Sequence, residues 1–351
     1  MKPIRVLIVE DSPVVAEHLR RTISADTRFE VVGIASSGED ALALLERLSP
    51  DVISMDINLP GMQGFEATRR IMSTRPTPIV VVSGNAGYDV SVTMRALQAG
   101  ALSVVEKPAA STHASYAALA GKLCTQLAIM SEVKVVRQRE LPPASSFERH
   151  VEKTPSTGGP YRLLGIGTST GGPGALTQLL NGLGKDFPLP IVIVQHMAAV
   201  FLTGFAEWLA SVVPQPVSIV ETPTTLVEGH VYLAPCNDRH LAVRGSTAYP
   251  DGSIPSGVHR PSANVLFSSM AQSLGASAIG VLLTGMGDDG AVGLGDLKRA
   301  GAWAIAEDET TAVVYGMPAA AVKLGSVHES LPLHQIAPRV LELVGPGRRA
   351  V

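Results

Sequence analysis

Residues 162–176 read RLLGIGTSTGGPGAL, and this stretch decides how the larger half of the chain is interpreted. A short apolar run leads into a loop of glycine, serine and threonine, and the pattern of apolar residues after the loop predicts a helix. A strand, a tight loop and a helix in this order are typical of an α/β domain built on a parallel sheet. The loop has two interpretations, since it could cradle the phosphates of a nucleotide or present Ser169 as a nucleophile.

Further strand-like segments follow, and together they predict a doubly wound, mostly parallel α/β domain over residues 161–346. They are short runs rich in Val, Ile, Leu and Ala with little polar alternation, which indicates strands buried on both faces of a sheet. Helical segments separate several of them. The predicted strands are RLLGIG (162–167), PIVIVQ (190–195), PVSIVE (216–221), HVYLAP (230–235), AIGVLLT (278–284) and AWAIAE (302–307).

The end of the second of these strands argues against nucleotide binding. A dinucleotide-binding loop is followed, near the end of the next strand, by an acidic residue that binds the ribose hydroxyls. Here that strand ends in Gln195 and His196, and no Gly-Lys-Ser/Thr sequence follows the loop to complete a Walker motif. The sequence therefore favours a nucleophile over a phosphate cradle, and both interpretations stay open at this point.

A histidine and an aspartate in the same domain could complete a nucleophilic site. Because neighbouring strands lie about 4.8 Å apart, the loops after their carboxyl ends can meet at one edge of the sheet. Ser169 and His196 follow two such strands, and a third strand ends in GMGDDG, which contains Asp288 and Asp289. The His196 imidazole could take the serine proton during attack on a carbonyl, with an aspartate orienting the ring. The glycines around Ser169 would keep its approach open.

The N-terminal part of the chain repeats a simpler pattern, which predicts a (βα)5 doubly wound domain over residues 1–123. Short runs of Val and Ile alternate with amphipathic helical segments. The predicted strands are IRVLIV (4–9), EVVGIA (30–35), DVISMD (51–56), IVVVS (79–83) and LSVVEK (102–107), and the predicted helices lie near 14–24, 39–48, 64–73 and 90–99.

Acidic and polar residues lie at the carboxyl ends of these strands, where doubly wound sheets bind their ligands. Glu10, Asp11 and Asp56 form a carboxylate cluster at this edge, which favours a hard divalent cation such as Mg²⁺. Ser83 and Lys107 end two further strands, and a hydroxyl and an ammonium group suit the oxygens of a phosphoryl group. Asp56 beside a metal is then a candidate nucleophile toward a phosphoryl donor.

The segment between the two domains predicts a helical extension and a flexible linker over residues 124–160. Residues 113–139 have the composition of a long helix, and residues 141–160 are rich in proline, serine, glycine and charge.

Composition limits the classes of partner. The net charge of −3 gives no reason to expect nucleic acid, which calls for a clustered basic face. Cys124 and Cys236 have no metal-ligand spacing, so we expect free thiols in a reducing compartment. The apolar run at the N-terminus is too short for a signal peptide, and no stretch reaches the ~18 apolar residues of a membrane span. We therefore expect a cytoplasmic protein without direct membrane insertion.

Four motifs of the first domain, IVEDS, SMDINLPGMQG, VVSG and VVEKP, resemble the response-regulator receiver family of two-component signalling. The resemblance implies that Asp56 is the phosphoacceptor, that the carboxylate cluster holds Mg²⁺ and that a histidine kinase is the phosphodonor. Ser83 and Lys107 would contact the phosphoryl group. Receivers often have an aromatic switch residue three positions before this lysine, where Val104 stands here, so the resemblance does not extend to an aromatic relay.

Five motifs of the second domain, GTSTGG, VQHM, HRPSANVLF, LTGMGDDGA and VVYGMP, resemble the chemotaxis protein-glutamate methylesterase (CheB) family. The resemblance implies that Ser169 is the nucleophile, His196 the general base and Asp289 the orienting carboxylate. Two positions depart from the family pattern. Asp288 stands where asparagine is usual, and Asn264 stands where aspartate is usual.

The two resemblances together imply a hydrolase that removes methyl groups from glutamate γ-methyl esters on methylated chemoreceptor cytoplasmic domains, releases methanol and deamidates receptor glutamines. We expect the backbone amides of Thr170 and Met286 to form the oxyanion hole, because they flank the nucleophile and the acid turn. No cofactor is expected in the catalytic domain. The linker suggests that the receiver covers the active site until phosphorylation displaces it.

Two other functions stay open on the sequence. One is a nucleotide-binding output domain without esterase chemistry, for which the loop at Ser169 would be the phosphate site. The other is a signalling adaptor whose hydrolytic site is vestigial. The serine, histidine and aspartate argue against both.

Overall fold

The computed structural model describes residues 2–84, 95–108, 113–133, 135, 161–197, 199–236, 238–252 and 259–345. The chain divides into two compact units, residues 1–138 and 139–351. Within the described residues, no helix combines the length and the apolar character that crossing a bilayer requires.

The first unit is a five-stranded parallel sheet flanked by helices. Its strands are β1 (Ile4–Val9), β2 (Phe29–Ala35), β3 (Val52–Met55), β4 (Ile79–Ser83) and β5 (Ser103–Glu106). Its helices are Pro13–Ser24, Gly38–Leu48, Gly64–Thr74 and His113–Ser131, and residues 95–98 are also helical. The strand order β2-β1-β3-β4-β5 and the parallel pairing of all neighbours confirm the predicted (βα)5 doubly wound fold.

This strand order creates a switch point between β1 and β3. The chain leaves β1 toward β2 on one side and returns to β3 on the other, so the loops after β1 and β3 diverge and leave a crevice. The first site of the protein lies there. Buried apolar side chains such as Leu7, Ile53 and Val81 fix these strands in a common core.

One predicted helix ends early. The helix expected over residues 113–139 ends at Ser131, and the amides of the next two residues bond to carbonyls three positions back, which tightens the final turn. The first half of the helix predicted near 90–99, residues 90–94, lies outside the described residues, as does the linker region 136–160.

The second unit contains a seven-stranded sheet and a three-stranded sheet. Its strands are β6 (Leu163–Thr168), β7 (Ile191–Gln195), β8 (Val217–Ile219), β9 (Thr224–Thr225), β10 (Val231–Leu233), β11 (His240–Arg244), β12 (Thr247–Asp251), β13 (Ala278–Leu282), β14 (Trp303–Glu307) and β15 (Glu329–Leu331). Its helices are Gly172–Leu183, Ala199–Val212, Ala263–Leu274, Ala291–Arg299, Met317–Lys323 and Leu333–Val344, with a 3₁₀ turn at Gly275–Ser277.

The large sheet has the order β15-β14-β13-β6-β7-β10-β8, and all its neighbouring strands are parallel. The doubly wound, mostly parallel prediction is therefore confirmed. Strand β6 lies at the centre, with β7 on one side and β13 on the other. The loops after these three strands consequently meet at the switch point of the sheet.

The antiparallel sheet was not predicted. Strands β11 and β12 form a hairpin whose two-residue turn is Gly245–Ser246, and β12 also pairs with β9. The alternation of apolar and polar residues on either side of the Gly-Ser pair is the local sequence signal for this hairpin. The hairpin packs on the helix Ala263–Leu274, which joins it to the core of the unit.

Glycines in β6 allow the helix Ala263–Leu274 to lie directly on the strand. A Cβ atom on Gly167 would be 2.8 Å from the Cβ of Ala263, and one on Gly165 would collide with the side chain of Met270. This corrects part of the sequence interpretation, because two glycines of the GIGTSTGG motif serve helix packing rather than access to Ser169. The close packing carries the N-terminus of the helix to the carboxyl end of β6.

Candidate active site

Ser169, His196 and Asp289 converge at the switch point of the large sheet. Ser169 follows β6, His196 follows β7, and Asp289 lies in the loop after β13. The His196 amide donates to the Thr168 carbonyl at 3.0 Å, which continues the ladder between the two strands beyond their ends. The structure thus brings together the three segments that the sequence analysis selected.

His196 and Asp289 form a hydrogen-bonded pair. Nε2 of His196 lies 2.9 Å from Oδ2 of Asp289, and the two side chains are 13% and 4% exposed. The Asp289 carboxylate also accepts the Ser262 hydroxyl at 2.6 Å and the Ala263 amide at 2.6 Å, at the start of the helix Ala263–Leu274. Burial opposes ionisation of Asp289, but these hydrogen bonds outweigh it and lower its pKa to about 2. The ring therefore faces a fixed negative charge.

Ser169 is half-buried in the tight turn between β6 and the helix Gly172–Leu183. Its amide donates to the Thr284 carbonyl at 3.0 Å, and its carbonyl accepts the Gln195 side-chain amide at 2.9 Å. Gly171, with φ +82°, supplies the left-handed residue before the helix. Within the described part of the chain, the Ser169 hydroxyl forms no hydrogen bond with His196.

Gln195 has a structural function that the sequence did not suggest. It stands at the position where a dinucleotide site would carry an acid, and its Nε2 donates to the carbonyls of Ser169 and His196 at 2.9 and 3.0 Å. A buried side chain thus joins the loops of the candidate nucleophile and base.

The loop Gly285–Met286 lies beside Ser169. A Cβ atom on Gly285 would be 2.9 Å from the Ser169 Cβ, so glycine is needed for this approach. Met286 is 41% exposed. The amides of Thr170 and Met286 donate to no carbonyl or side chain among the described residues, which leaves both N–H groups available to a ligand.

The first unit holds its polar residues at the other switch point. Nζ of Lys107 lies 2.8 Å from Oδ2 of Asp56 and 2.8 Å from Oε2 of Glu10. The second oxygen of Asp56 accepts the Ile57 amide at 2.7 Å. Ser83 is buried at the end of β4, and its carbonyl accepts the Lys107 amide at 3.0 Å. The five predicted residues of this site, including Asp11, therefore share one edge of the sheet.

The carboxylate cluster fits a divalent cation. Ligand oxygens of Glu10, Asp11 and Asp56 all lie within 4.8 Å of one another. Burial raises the pKa of Glu10, and Asp56 raises it further against the lowering effect of Lys107. Burial would lower the pKa of Lys107, but its hydrogen bonds to the two carboxylates raise it. An all-oxygen, electron-rich set of this kind suits Mg²⁺.

Comparisons with known proteins agree with this geometry. Residues 164–340 match the family described as CheB methylesterase, and residues 6–116 match the response regulator receiver domain. The chain belongs to the CheB methylesterase family. Its N-terminal unit is a receiver domain and its C-terminal unit is the family's methylesterase domain.

Relatives of similar length support this assignment. A Paramagnetospirillum magneticum protein named protein-glutamate methylesterase/protein-glutamine glutaminase 2 is 50% identical over 354 residues, covering 99% of each chain. A Myxococcus xanthus protein with the same name, numbered 4, is 43% identical and covers 96% of each chain. The crystal structure of the Thermotoga maritima CheB methylesterase catalytic domain is 36% identical, with a TM-score of 0.50, and covers 52% of this chain and 99% of that one.

The structure distinguishes the two aspartates of the GMGDDG motif. Asp288 is exposed, whereas Asp289 is buried against His196. Asn264 replaces the aspartate usual in the CheB family pattern, and its Oδ1 accepts the Gly293 amide at 2.7 Å. Asn264 therefore links two helices. One is Ala263–Leu274, whose first turn Asp289 caps, and the other is Ala291–Arg299.

His259, the first residue of the HRPSANVLF motif, lies against the proposed base, which the sequence did not predict. Its ring stacks on His196 with centroids 4.8 Å apart and an interplanar angle of 11°. Val104, at the position of the aromatic switch, packs half-buried against the core of the receiver unit. The sequence could not indicate the stacking, because it depends on a contact between distant loops.

Proposed function

We propose that this chain hydrolyses glutamate γ-methyl esters on chemoreceptors, releases methanol and deamidates receptor glutamines, under the control of receiver phosphorylation. The observation that carries the proposal is the 2.9 Å hydrogen bond between His196 and Asp289 in the loops beside Ser169. Membership of the CheB methylesterase family and the names of the full-length relatives supply the substrate class.

Ser169 is the nucleophile in this proposal. Its hydroxyl attacks the ester carbonyl while Nδ1 of His196 takes the proton, since Nε2 is bound to Asp289. The tetrahedral intermediate collapses, the bond to the methoxy group breaks, and His196 returns the proton to release methanol. Water then attacks the acyl-enzyme with the same base, which frees the glutamate carboxylate and regenerates Ser169. For glutamine the leaving group is ammonia.

Asp289 orients the base and stabilises its charged form. Because the hydrogen bonds from the helix Ala263–Leu274 hold this carboxylate ionised, it can balance the imidazolium that forms during attack. The Ser169 hydroxyl has to come within hydrogen-bond range of His196 for the attack, and such bonds commonly tighten only when substrate is bound. The available amides of Thr170 and Met286 are the proposed donors to the oxyanion.

The receiver unit supplies the regulation. An oxygen of Asp56 attacks the phosphorus of a phosphohistidine on the partner kinase, and the bond from phosphorus to the imidazole nitrogen breaks. Lys107 and Ser83 then contact the phosphoryl oxygens. Glu10, Asp11 and Asp56 would hold Mg²⁺, which neutralises negative charge on the phosphoryl group. The catalytic unit uses no cofactor in this mechanism.

The proposed organisation is a receiver domain over residues 1–123, a helical extension and flexible linker over 124–160, and a catalytic domain over 161–346. The family matches to residues 6–116 and 164–340 support this division. In this scheme phosphorylation of the receiver unit raises the activity of the catalytic unit.

The proposed location is the cytoplasm, where the methylated regions of chemoreceptors and a histidine kinase are accessible.

A nucleotide-binding output domain gains no support, since Gln195 bridges the loops at the position where a ribose-binding acid would stand. A vestigial adaptor is also disfavoured, because the buried His196–Asp289 pair is intact.

A coupled assay of methanol release from methylated receptor, with and without a small phosphodonor, tests the proposal. Wild-type protein should release methanol, and more rapidly with the phosphodonor. Ser169→Ala should abolish release, whereas Ser211→Ala, on an exposed helix surface, should not. Normal release by Ser169→Ala, or none by wild type, would refute the proposed mechanism.

A further inference from the structure

Glu307 is a buried carboxyl group that the mechanism above does not use. It is the last residue of β14 and has no exposed surface. Its Oε2 accepts the Thr284 amide at 2.8 Å. Among the described residues it forms no ion pair with a lysine, arginine or histidine.

Burial of this carboxyl group is unfavourable by itself. It raises the pKa of Glu307 to about 7, against the lowering effect of the hydrogen bond from the Thr284 amide, and the neighbouring Asp308 adds to the rise. Because buried N–H groups need a hydrogen-bond acceptor, the Thr284 amide accounts for the presence of this unfavourable buried carboxyl group. The last paired residues of β13 and β14 are Leu282 and Ala306, and beyond them the Glu307 side chain replaces a backbone carbonyl as the acceptor for Thr284.

Thr284 connects this carboxyl group to the candidate nucleophile. Its carbonyl accepts the Ser169 amide at 3.0 Å and the Thr168 hydroxyl at 3.0 Å. Its hydroxyl donates to the Thr170 carbonyl at 2.9 Å. Thr284 thus binds the Thr168 side chain, the Ser169 amide and the Thr170 carbonyl, and it stands two residues before Met286.

We propose that Glu307 is a positioning residue of the hydrolytic site, which fixes Thr284 and through it the Ser169 turn and the Met286 amide. The inference rests on the proposed esterase function. Glu307 forms no hydrogen bond with Ser169 or His196, so its effect must pass through Thr284. A displacement of about 1 Å at a reacting group can lower a rate about 10²-fold. Loss of the acceptor should therefore reduce kcat and leave KM nearly unchanged.

Two uncharged variants of similar size distinguish loss of the hydrogen-bond acceptor from loss of the negative charge. Glu307→Gln retains an oxygen that can accept the Thr284 amide, whereas Glu307→Met fills the same space without an acceptor. In the full chain we expect Glu307→Met to lower kcat for methanol release at least tenfold with KM within twofold. Glu307→Gln should recover kcat to within about threefold of wild type. The rate of Ser169 labelling by a fluorophosphonate should follow the same order.

A control variant and a further substitution guard against a general loss of stability. Glu329→Gln, on the adjacent strand β15, removes a carboxylate that pairs with Arg339 rather than with the site, and it should leave kcat within twofold. If Glu307→Met does not fold, Glu307→Leu replaces it, since leucine also lacks an acceptor for the Thr284 amide. Glu307→Leu should lose at least tenfold in kcat relative to Glu307→Gln.

Equal kcat for folded Glu307→Met and Glu307→Gln, or a loss that lies in KM, would overturn the positioning function. So would equal kcat for Glu307→Leu and Glu307→Gln where leucine has to replace methionine. Failure of the esterase proposal looks different, because wild-type protein would then neither release methanol nor react at Ser169 with the fluorophosphonate.

Discussion

Nε2 of His196 lies 2.9 Å from Oδ2 of Asp289, although 93 residues separate them in the chain. The same carboxylate accepts the hydroxyl of Ser262 and the amide of Ala263, at the first turn of the helix Ala263–Leu274. The Asp289 side chain therefore orients the proposed base and also caps the N-terminus of a helix. Since that helix lies directly on the glycines of β6, the packing of the core and the geometry of the site are coupled.

Asp289 and Asp288 should differ sharply on substitution. Asp289→Asn removes the charge that stabilises the imidazolium and can favour the wrong tautomer of His196, so we expect kcat to fall about 10³-fold or more. Asp288→Asn is the matched control and should retain kcat within twofold, because Asp288 is exposed. Steady-state methanol release measures both. Equal effects of the two substitutions would contradict the assignment of Asp289.

Asp289 should also contribute to stability in a pH-dependent manner. Its folded-state pKa of about 2 is below the ordinary value of 3.8. Ionised Asp289 therefore adds to the free energy of unfolding above about pH 4, and this contribution is lost as pH falls through the folded-state pKa. The shift corresponds to about 2 kcal/mol. The difference in melting temperature between wild type and Asp289→Asn should therefore narrow from pH 5 to pH 3. A difference that stays constant over this interval would refute the linkage.

Glu307 should show the opposite dependence. Its folded-state pKa of about 7 exceeds the ordinary 4.5, so its favourable contribution is present below about pH 4.5 and is lost as pH rises through 7. Glu307→Gln avoids this loss. The full-length Glu307→Gln variant should therefore have a free energy of unfolding at pH 8 that exceeds that of wild type by up to about 3 kcal/mol. Thermal melts at pH 5 and pH 8 test this. No gain for the variant at pH 8 relative to pH 5 would show that Glu307 does not titrate as argued.

Gly285→Ala should impair catalysis more than its size suggests. The added Cβ would lie 2.9 Å from the Ser169 Cβ and 3.2 Å from the Ser169 amide nitrogen, so the turn has to move. We expect at least a tenfold loss of kcat and about 1–3 kcal/mol of destabilisation from overpacking. Gly174→Ala is the control, because a Cβ there meets no atom within 4 Å. Melting curves and fluorophosphonate labelling rates distinguish the two, and similar behaviour would contradict the steric argument.

Asp56→Asn should remove activation by phosphodonor. The substitution replaces the attacking carboxylate by an amide, so the ratio of esterase rates with and without the phosphodonor should fall to about 1. Asp26→Asn, at an exposed ion pair with Arg28, should keep the wild-type ratio. Retained activation in Asp56→Asn would mean that phosphorylation occurs elsewhere or that activation does not need it.

The two parallel sheets, and the residues at the carboxyl ends of their strands, could be predicted from the sequence alone. Runs of Val and Ile specify buried strands through local pattern, and a parallel arrangement then places loop residues at one edge. Ser169, His196 and Asp56 could be selected in this way. The end of a strand can be recognised from a few neighbouring residues, so these positions could be predicted without knowledge of the tertiary structure.

The family resemblance had already selected Asp289, but the physical difference between Asp289 and Asp288 is visible only in the folded chain. The same holds for the packing of a helix on Gly165 and Gly167 and for the contacts of His259 and Glu307. Each of these depends on which atoms of distant segments meet, to within a fraction of an ångström. Adjacent residues such as Asp288 and Asp289 have almost the same local pattern, yet one faces solvent and the other a helix terminus. Side-chain direction and close packing arise from the assembled core, so sequence periodicity does not contain them.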